Sequence, residues 1–492
     1  MADFKALAKD TVIYGASSII GRFLNYLLVP LYTYKITAES GGYGVVTNMY
    51  AYTALLLVIL TFGMETTFFR FANKEEEDPR KVFSTISIMV GAVAALFVGL
   101  IFTFIGPISE FMGYPDHPEY VWTMAVIVAL DAFQAILFAL LRYQKKAIKF
   151  AALKLLFIVL NISLNLLVFL LLPKITDFEL HVKWVFYINL FCTAFVTLFF
   201  FKEIKGLGAG FDASLAKRLL GYSWPILILG IAGILNQAAD KILYPLVDKS
   251  PDATVQLGIY GACVKIAMIM ALITQTFRYA YEPFVFDRKA SGATQEEKKE
   301  TYSRGMRYFI IATLFAFLAV MAYMGLFRYI ISKDYWEGLK VVPIVMAAEI
   351  MMGIYFNLSF WYKLIDKTFW GAVFSGISCI LLIAVNVIFI PKYGYMACAW
   401  GGVAGYGSAM LMSYFVGQKY YPIDYKLKDI LIYVLATAVL FTGMWLVGKV
   451  LPFWGAIACN TILLGIFVLL VIRMERINVP ALITKLRSKL GR

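Results

Sequence analysis

The sequence predicts an all-α polytopic membrane protein with about 14 transmembrane helices, arranged as two pseudo-symmetric six-helix lobes plus two C-terminal helices. Three observations predict this fold class: the composition, a series of long apolar segments and an internal duplication. Of the 492 residues, 61% are hydrophobic and only 15% are charged, whereas soluble domains carry about 25% charged residues. A soluble core could not hide this much apolar surface, so the bilayer must solvate a large part of it.

Fourteen segments are long and apolar enough to cross the hydrocarbon core, which takes about 20 residues for a helix. The connections between them are short, so the sequence contains no inserted soluble domain. Predicted spans one to fourteen are 11–34, 43–63, 82–105, 120–141, 151–172, 184–201, 221–247, 257–283, 306–331, 341–361, 370–390, 396–417, 429–450 and 455–472.

Short segments of the first half of the chain return in the second half. LVPL at 28–31 recurs as LYPL at 243–246, and GYG at 42–44 recurs as GIYG at 258–261. The duplication pairs spans one to six with spans seven to twelve. Because six is an even number, the two halves have the same orientation and are related by an axis along the membrane normal, as in many transporters with a site between two repeats.

Basic residues predict the orientation of the chain. Roughly two thirds of the 45 Lys and Arg residues fall in the connections on one side, which the positive-inside rule assigns to the cytoplasm together with both termini. The glycine-rich stretch after span six is interpreted as a flexible join between lobes. The predicted organisation is an N-lobe (1–201), a cytoplasmic linker (202–220), a C-lobe (221–417), spans thirteen and fourteen (418–472) and a basic cytoplasmic tail (473–492).

Polar and ionisable residues well inside the spans are the best pointers to function, because they are costly in lipid and turn toward protein or a water-filled cavity. Spans one and seven each carry a polar stripe, and span eight adds a lysine near mid-depth. Three cations on helices of one predicted cavity favour a phosphate-bearing substrate, since Arg and Lys form charge-assisted hydrogen bonds to phosphate oxygens. The predicted substrate-binding residues are Arg22, Asn25, Gln237, Lys241 and Lys265.

Acidic residues in the spans are candidates for coupling or gating. Asp131, Asp240 and Glu349 lie inside spans four, seven and ten, and Glu65 and Glu282 lie near the cytoplasmic ends of spans two and eight. The alternative interpretation is structural: these charges form buried ion pairs between helices, for instance Asp240 with Lys265 or Glu349 with Lys241.

The sequence offers no support for enzymatic or metal chemistry. The five cysteines fall in apolar runs without metal-ligand spacing, the two histidines have no partner at such a spacing, and there is no phosphate-binding loop. We therefore expect no catalytic residues, no metal and no cofactor, with H⁺ or Na⁺ as a coupling ion left open.

Two segments then carry a resemblance to a known family. RYQKK at 142–146, and NVIFIPKYGY at 386–395, with WYK at 361–363 and DKT at 366–368, resemble the bacterial polysaccharide-biosynthesis flippases of the Wzx type. That family belongs to the multidrug/oligosaccharidyl-lipid/polysaccharide exporter superfamily. The resemblance implies alternating access between two lobes, with an undecaprenyl-pyrophosphate-linked oligosaccharide, such as an O-antigen (lipopolysaccharide) or exopolysaccharide repeat unit, as the substrate.

Two other functions remain as alternatives to a flippase. A multidrug or organic-cation antiporter of the same superfamily would have a cavity dominated by carboxylates, whereas a membrane glycosyltransferase or polymerase would carry a long outer loop with catalytic residues. For the flippase we expect a monomer in the bacterial inner membrane. Its expected partners are the lipid-linked oligosaccharide, membrane lipids and, further, a glycan polymerase or glycosyltransferase, with no nucleic acid.

Overall fold

The computed structural model describes residues 26–39, 41–290 and 294–476, with only the backbone given at 279, 280 and 282–290. Every regular element in these ranges is a helix, which confirms the predicted all-α class. The α-helices are α1 (Leu28–Lys35), α2 (Gly42–Thr61), α3 (Met64–Ala72), α4 (Pro79–Thr103), α5 (Ile105–Phe111), α6 (Pro118–Tyr143), α7 (Ala147–Leu166), α8 (Leu172–Ile175), α9 (Lys183–Leu198), α10 (Phe201–Ile204), α11 (Ala213–Val247), α12 (Ala253–Ala267), α13 (Ile269–Ala290), α14 (Gln295–Ala322), α15 (Met324–Phe327), α16 (Val342–Leu358), α17 (Phe360–Leu364), α18 (Phe369–Tyr393), α19 (Tyr395–Tyr420), α20 (Leu427–Val450) and α21 (Phe453–Met474).

Short helices of other types connect several of these elements. A π-helical turn joins α7 to α8, and 3₁₀-helices follow α10, follow α15 and precede α16. Their bounds are Leu167–Leu171 (π), Lys205–Ala209, Arg328–Ile330 and Lys333–Val341 (3₁₀).

Within the described ranges, ten helical segments are long and apolar enough to cross a membrane, and two further pairs of helices raise the number to 12 if each pair is one broken span. The chain is therefore a multi-pass membrane protein. Predicted span one lies largely outside the described residues. Predicted span twelve is a 26-residue helix, α19, but its many glycines keep it out of this apolar set. The count of 14 stays a prediction.

The described residues form two compact units. The first contains those up to Lys265, together with Ile331–Val341 and Gly371–Ser408. The second contains Ile266–Ile330, Val342–Trp370 and those from Ala409 onward. The continuous helix α19 passes from one unit to the other, and the predicted lobe boundaries stay a prediction.

The apolar core of the first unit lies where α3, α4, α6, α7, α9 and α11 meet. Phe68 and Phe200 are fully buried in it, and the ring of Phe200 meets that of Phe138 edge-on at a centroid distance of 5.0 Å. Because lipid is as apolar as these side chains, close packing rather than exclusion of water stabilises the core, and an edge-to-face aromatic pair contributes about 0.5–1.5 kcal/mol. This core holds the predicted cytoplasmic ends of the helices in a fixed arrangement.

The glycine-rich linker is ordered against α4, which corrects the expectation of a flexible join. Its 3₁₀-helix accepts a hydrogen bond from Lys81 Nζ at Ala209 O (2.9 Å) and one from Ser84 Oγ at Leu207 O (2.8 Å). The backbone N–H of Asp212 then donates to Thr85 Oγ1. Three side chains within little more than one turn of α4 thus satisfy backbone groups that a free linker would leave to water.

In the second unit, a charged cluster ties α20 and the end of α21 to α14. Arg307 Nη1 lies 3.3 Å from Asp429 Oδ2, and Arg307 Nε lies 3.6 Å from Glu475 Oε1. Tyr433 OH donates to Glu475 at 2.9 Å. Because Arg307 and Glu475 are both largely buried, these contacts fix how predicted spans thirteen and fourteen pack on the rest of their unit.

Candidate functional site

The structure describes most, but not all, of the residues that the sequence analysis predicts for the substrate site and for coupling or gating. Arg22 and Asn25 lie outside the described residues, and Glu282 lies in α13, where only the backbone is described. Gln237, Asp240 and Lys241 lie on α11 and Lys265 lies on α12, all in the first unit. These four residues are the described part of the predicted substrate site.

Asp240 and Lys241 form an ion pair on α11. Lys241 Nζ lies 2.9 Å from each carboxylate oxygen of Asp240, and it also donates to Gln237 O at 3.1 Å. The hydroxyl of Tyr260, on α12, donates to Asp240 Oδ2 at 2.6 Å. The side chain of Asp240 is 10% exposed and that of Lys241 is 20% exposed, so the lysine is the more accessible member of the pair.

A proline in the duplicated LYPL segment explains how the backbone at this site is held. Pro245 has no N–H and leaves the carbonyl of Lys241, four residues earlier, without its helical donor. Asn48 on α2 supplies the missing donor through its Nδ2, at 2.8 Å, and Tyr114 OH donates to Asn48 Oδ1 at 3.1 Å. The side chain of Asn48 is fully buried and therefore fixes α2 against α11 beside the ion pair.

Lys265 is the second cation of the site and differs from Lys241 in its surroundings. Its side chain is half-buried on α12, and its charge is close enough to that of Lys241 for the two to repel. Among the residues that the structure describes, no ion pair or hydrogen bond involves its ammonium group. The cluster of Asp240, Lys241 and Lys265 therefore carries one uncompensated positive charge.

The suggested ion pair between Asp240 and Lys265 does not form, because Lys241 occupies both carboxylate oxygens. Gln237 is exposed, as a residue that contacts a ligand would be. Glu349 lies half-buried on α16 in the second unit. Its coupling role stays a prediction.

Two further candidates, Asp131 and Glu65, have partners within the first half of the duplication. Asp131 on α6 and Lys154 on α7 interact as opposite charges, and Lys154 Nζ lies 4.0 Å from the ring centroid of Phe138. Arg142 Nη2 donates to Glu65 Oε2 at 2.7 Å. Both contacts join helices of one repeat, so neither of them closes a gate between the repeats in this structure.

Three buried polar residues that sequence reasoning missed also hold the site: Asn48, Asn236 and Tyr260. Asn236 on α11 accepts from Ser378 Oγ at 2.8 Å and donates to Ser375 O at 3.0 Å, which binds α18 to α11. A usable signal existed for Tyr260, since it belongs to the duplicated GIYG segment. An asparagine inside a predicted span is an equivalent signal for the other two.

Glycines of the two repeats meet where α2 crosses α12. A Cβ atom on Gly44 would lie 1.9 Å from Thr254 O and 3.0 Å from Gly258 N, and one on Gly261 would lie 2.4 Å from Thr47 Oγ1. Only glycine permits this backbone approach. By the predicted topology the crossing lies near the outer ends of both helices, above the ion pair.

Comparison with solved structures identifies the fold. A lipid II flippase, MurJ, in an inward closed conformation superimposes with a TM-score of 0.70 at 15% sequence identity, covering 95% of this chain and 100% of the flippase. An inward-facing multidrug resistance transporter of the MATE family, in the MOP superfamily, gives 0.63 at 12% identity over 80% of this chain and 93% of that one. The protein has the fold of MOP-superfamily transporters.

A model of the polysaccharide biosynthesis protein family matches residues 7–280, more than half of the chain. The chain belongs to this family, which confirms the resemblance drawn from the sequence. No curated protein matches it in sequence.

Proposed function

We propose that the protein translocates a lipid-linked oligosaccharide, carried on undecaprenyl pyrophosphate, across the cytoplasmic membrane. Membership of the polysaccharide biosynthesis family and the fold of MOP-superfamily transporters support a transported glycan precursor. The observation that carries the proposal is the half-buried, uncompensated charge of Lys265 beside Lys241. A partly desolvated cation attracts a phosphate far more strongly than an exposed one does.

The proposed mechanism follows from the cost of moving a charged head group through about 30 Å of hydrocarbon. Lys265 and Lys241 replace part of the water shell of the pyrophosphate, while the polyprenyl chain remains in lipid. Asp240 limits the net charge of the cluster to +1, so the cluster attracts the substrate without binding it too tightly for release. Rocking of the repeats about this site would then expose it to each side in turn.

The contact between Gly44 and Gly258 would act as the outer gate in this cycle. Backbones that touch without side chains between them leave no path for a sugar, so this contact would close the predicted outer side. Separation of α2 from α12 would open it. Each helix carries one copy of the duplicated glycine segment, as expected for a contact about the axis that relates the repeats.

An organic-cation antiporter fits the site less well. Such a transporter needs a carboxylate free to receive the cation, whereas both oxygens of Asp240 are occupied by Lys241 and Tyr260. Among the described residues, the only charge of this cluster without a partner is positive. A membrane glycosyltransferase is disfavoured by the short connections between helices.

Further proposals concern the location of the protein, its oligomeric state, its partners and its coupling ion. We place the protein in the bacterial inner membrane with both termini in the cytoplasm, as a monomer that serves O-antigen or exopolysaccharide assembly beside glycosyltransferases or a polymerase. It would need no cofactor other than a coupling H⁺ or Na⁺. Of the three candidate carriers, Asp131 and Glu349 suit this role better than Asp240, because Lys241 and Tyr260 occupy both oxygens of Asp240.

The test uses Lys265, because replacing it leaves none of the described residues without a partner. Lys265→Gln should reduce export of the lipid-linked glycan about tenfold or more, the effect of losing one charge-assisted hydrogen bond, while Lys265→Arg retains most of it. Export is measured as surface glycan labelled by an impermeant lectin in cells that depend on this protein. Lys249→Gln, an exposed lysine after α11, is the matched control. Normal export by Lys265→Gln at equal protein levels would refute the assignment.

A further inference from the structure

A second charged cavity lies in the first unit, away from the Asp240 cluster. It has a volume of about 400 Å³, which is in the range of pockets that bind small molecules. The end of α6, the start of α4, and α10 with the 3₁₀-helix that follows it form the cavity, so the predicted topology places it where the membrane meets the cytoplasm. Neither the family nor the proposed transport site accounts for it.

Cations surround this cavity, and two of them have no acidic partner among the described residues. Arg80, Lys146 and Lys202 line it, and all three are exposed. Lys146 lies 4.0 Å from Glu203, but Arg80 and Lys202 form no ion pair in the part of the chain that the structure describes. The cavity therefore offers two uncompensated positive charges.

The acidic residues at the cavity are already occupied. Glu203 is almost fully buried and lies 2.7 Å from Lys149 Nζ. Asp78 caps the N-terminus of α4 by accepting a hydrogen bond from the backbone N–H of Arg80 at 2.9 Å, where the helix dipole favours its negative charge. Glu203 is therefore engaged by Lys149, and Asp78 forms no ion pair with Arg80 or Lys202 among the described residues.

Part of the cavity wall is apolar, and an exposed aromatic side chain lies next to one of its cations. Phe83, Leu140 and Tyr143 line it. Next to Lys202, the side chain of Phe201 is 55% exposed. An aqueous phosphate gains nothing from such surfaces, whereas a lipid would place its glycerol and upper acyl chain against them.

We propose that this cavity binds the phosphodiester head group of an anionic lipid in the cytoplasmic leaflet. Arg80 and Lys202 bind the phosphate, and Lys146 lies at the rim. Clusters of basic residues at this level of the membrane bind acidic head groups. The site also gives a role to the RYQKK segment, since Tyr143 and Lys146 line the cavity while Arg142 pairs with Glu65.

The experiment measures lipid retention by the full-length protein, without any transport assay. Protein from nanodiscs of phosphatidylcholine with increasing phosphatidylglycerol is analysed by native mass spectrometry for bound lipid. The variant Arg80→Gln/Lys202→Gln should bind phosphatidylglycerol about 30-fold more weakly, since each surface cation contributes about fivefold. The single variant Lys202→Gln should lose about fivefold. Lys217→Gln, an exposed cytoplasmic lysine on α11 outside the cavity, should leave binding unchanged.

Equal retention of phosphatidylglycerol by wild type and the double variant would overturn the proposal, as would equal retention of phosphatidylcholine and phosphatidylglycerol by wild type. Displacement of the lipid by millimolar inorganic phosphate would assign the cavity to a soluble phosphate and would also overturn it. Because glycan export is not measured, failure here leaves the transport site at Lys265 untouched.

Discussion

Replacing Gly44 with alanine should separate α2 from α12 and shift the protein toward an outward-open state. The new Cβ would lie 1.9 Å from the carbonyl oxygen of Thr254, whereas comfortable contacts begin at about 3.5 Å. The obstacle is backbone, which cannot rotate away as a side chain can, so the helices must move apart by more than about 1 Å. Overpacking of this kind costs about 1–3 kcal/mol. If only the outward-closed state contains the contact, its population falls about 5–150-fold relative to the open one.

The assay is a distance measurement between spin labels on the two repeats. Lys35→Cys and Lys249→Cys place labels at exposed positions at the ends of α1 and α11. Cys459 is replaced by serine, because the four other cysteines are buried. Pulsed electron paramagnetic resonance should show that Gly44→Ala moves the distance distribution to longer values.

Gly99→Ala is the matched control, because a Cβ on this glycine of α4 would meet no atom within 4 Å. It should leave the distribution unchanged and stabilise α4 slightly, as alanine does in helices. A Gly44→Ala distribution identical to that of Gly99→Ala would refute the reasoning. So would an unchanged thermal unfolding midpoint in both variants.

Two further predictions concern the ion pair and the start of α11. Tyr260→Phe removes the hydroxyl that donates to Asp240 Oδ2 and should destabilise the protein by about 1.5–3 kcal/mol, the range for hydrogen bonds to charged groups. Thermal unfolding in detergent measures this loss of stability, and an unchanged midpoint would contradict the assigned bond. The pKa of Asp212 is lowered from its usual 3.8 by hydrogen bonds from the Leu215 backbone N–H and from Ser214. A lowered folded-state pKa contributes stability that is present above pH 3.8 and lost as the pH falls through the folded-state pKa. Wild type should therefore be more stable than Asp212→Asn at pH 6 but not at pH 2, in urea unfolding; a difference independent of pH would contradict the prediction.

The helices themselves could be predicted because the signals for them are local. A run of about 20 apolar residues must form a helix in lipid, since no water is there to satisfy an open backbone. The runs that became α4, α6 and α18 show this directly. The same reasoning is weak for α19, because its glycines lower its mean hydropathy. Those glycines have a packing role that only the structure shows: Gly401 and Gly405 lie against Asn386 and Leu382 of α18.

The partner of Asp240 illustrates what local reasoning could not reach. Adjacent residues on a helix point about 100° apart and rarely face each other. The structural alternative therefore paired Asp240 with Lys265, and nothing local indicated Lys241. The long side chain of Lys241 folds back onto the carboxylate. Tyr260, from another helix, bonds the same carboxylate.

The amino-acid sequence alone is enough to predict a duplicated, multi-pass helical protein, its family and a set of costly charges, because apolar length, repetition and charge are properties of the chain. Which charges remain uncompensated depends on contacts between distant residues. The glycines of the repeat were visible from the start, but only their positions in space show that Gly44 of one copy lies against Gly258 of the other. Among the described residues, Lys265 has no acidic partner, because Lys241 and Tyr260 take both oxygens of Asp240.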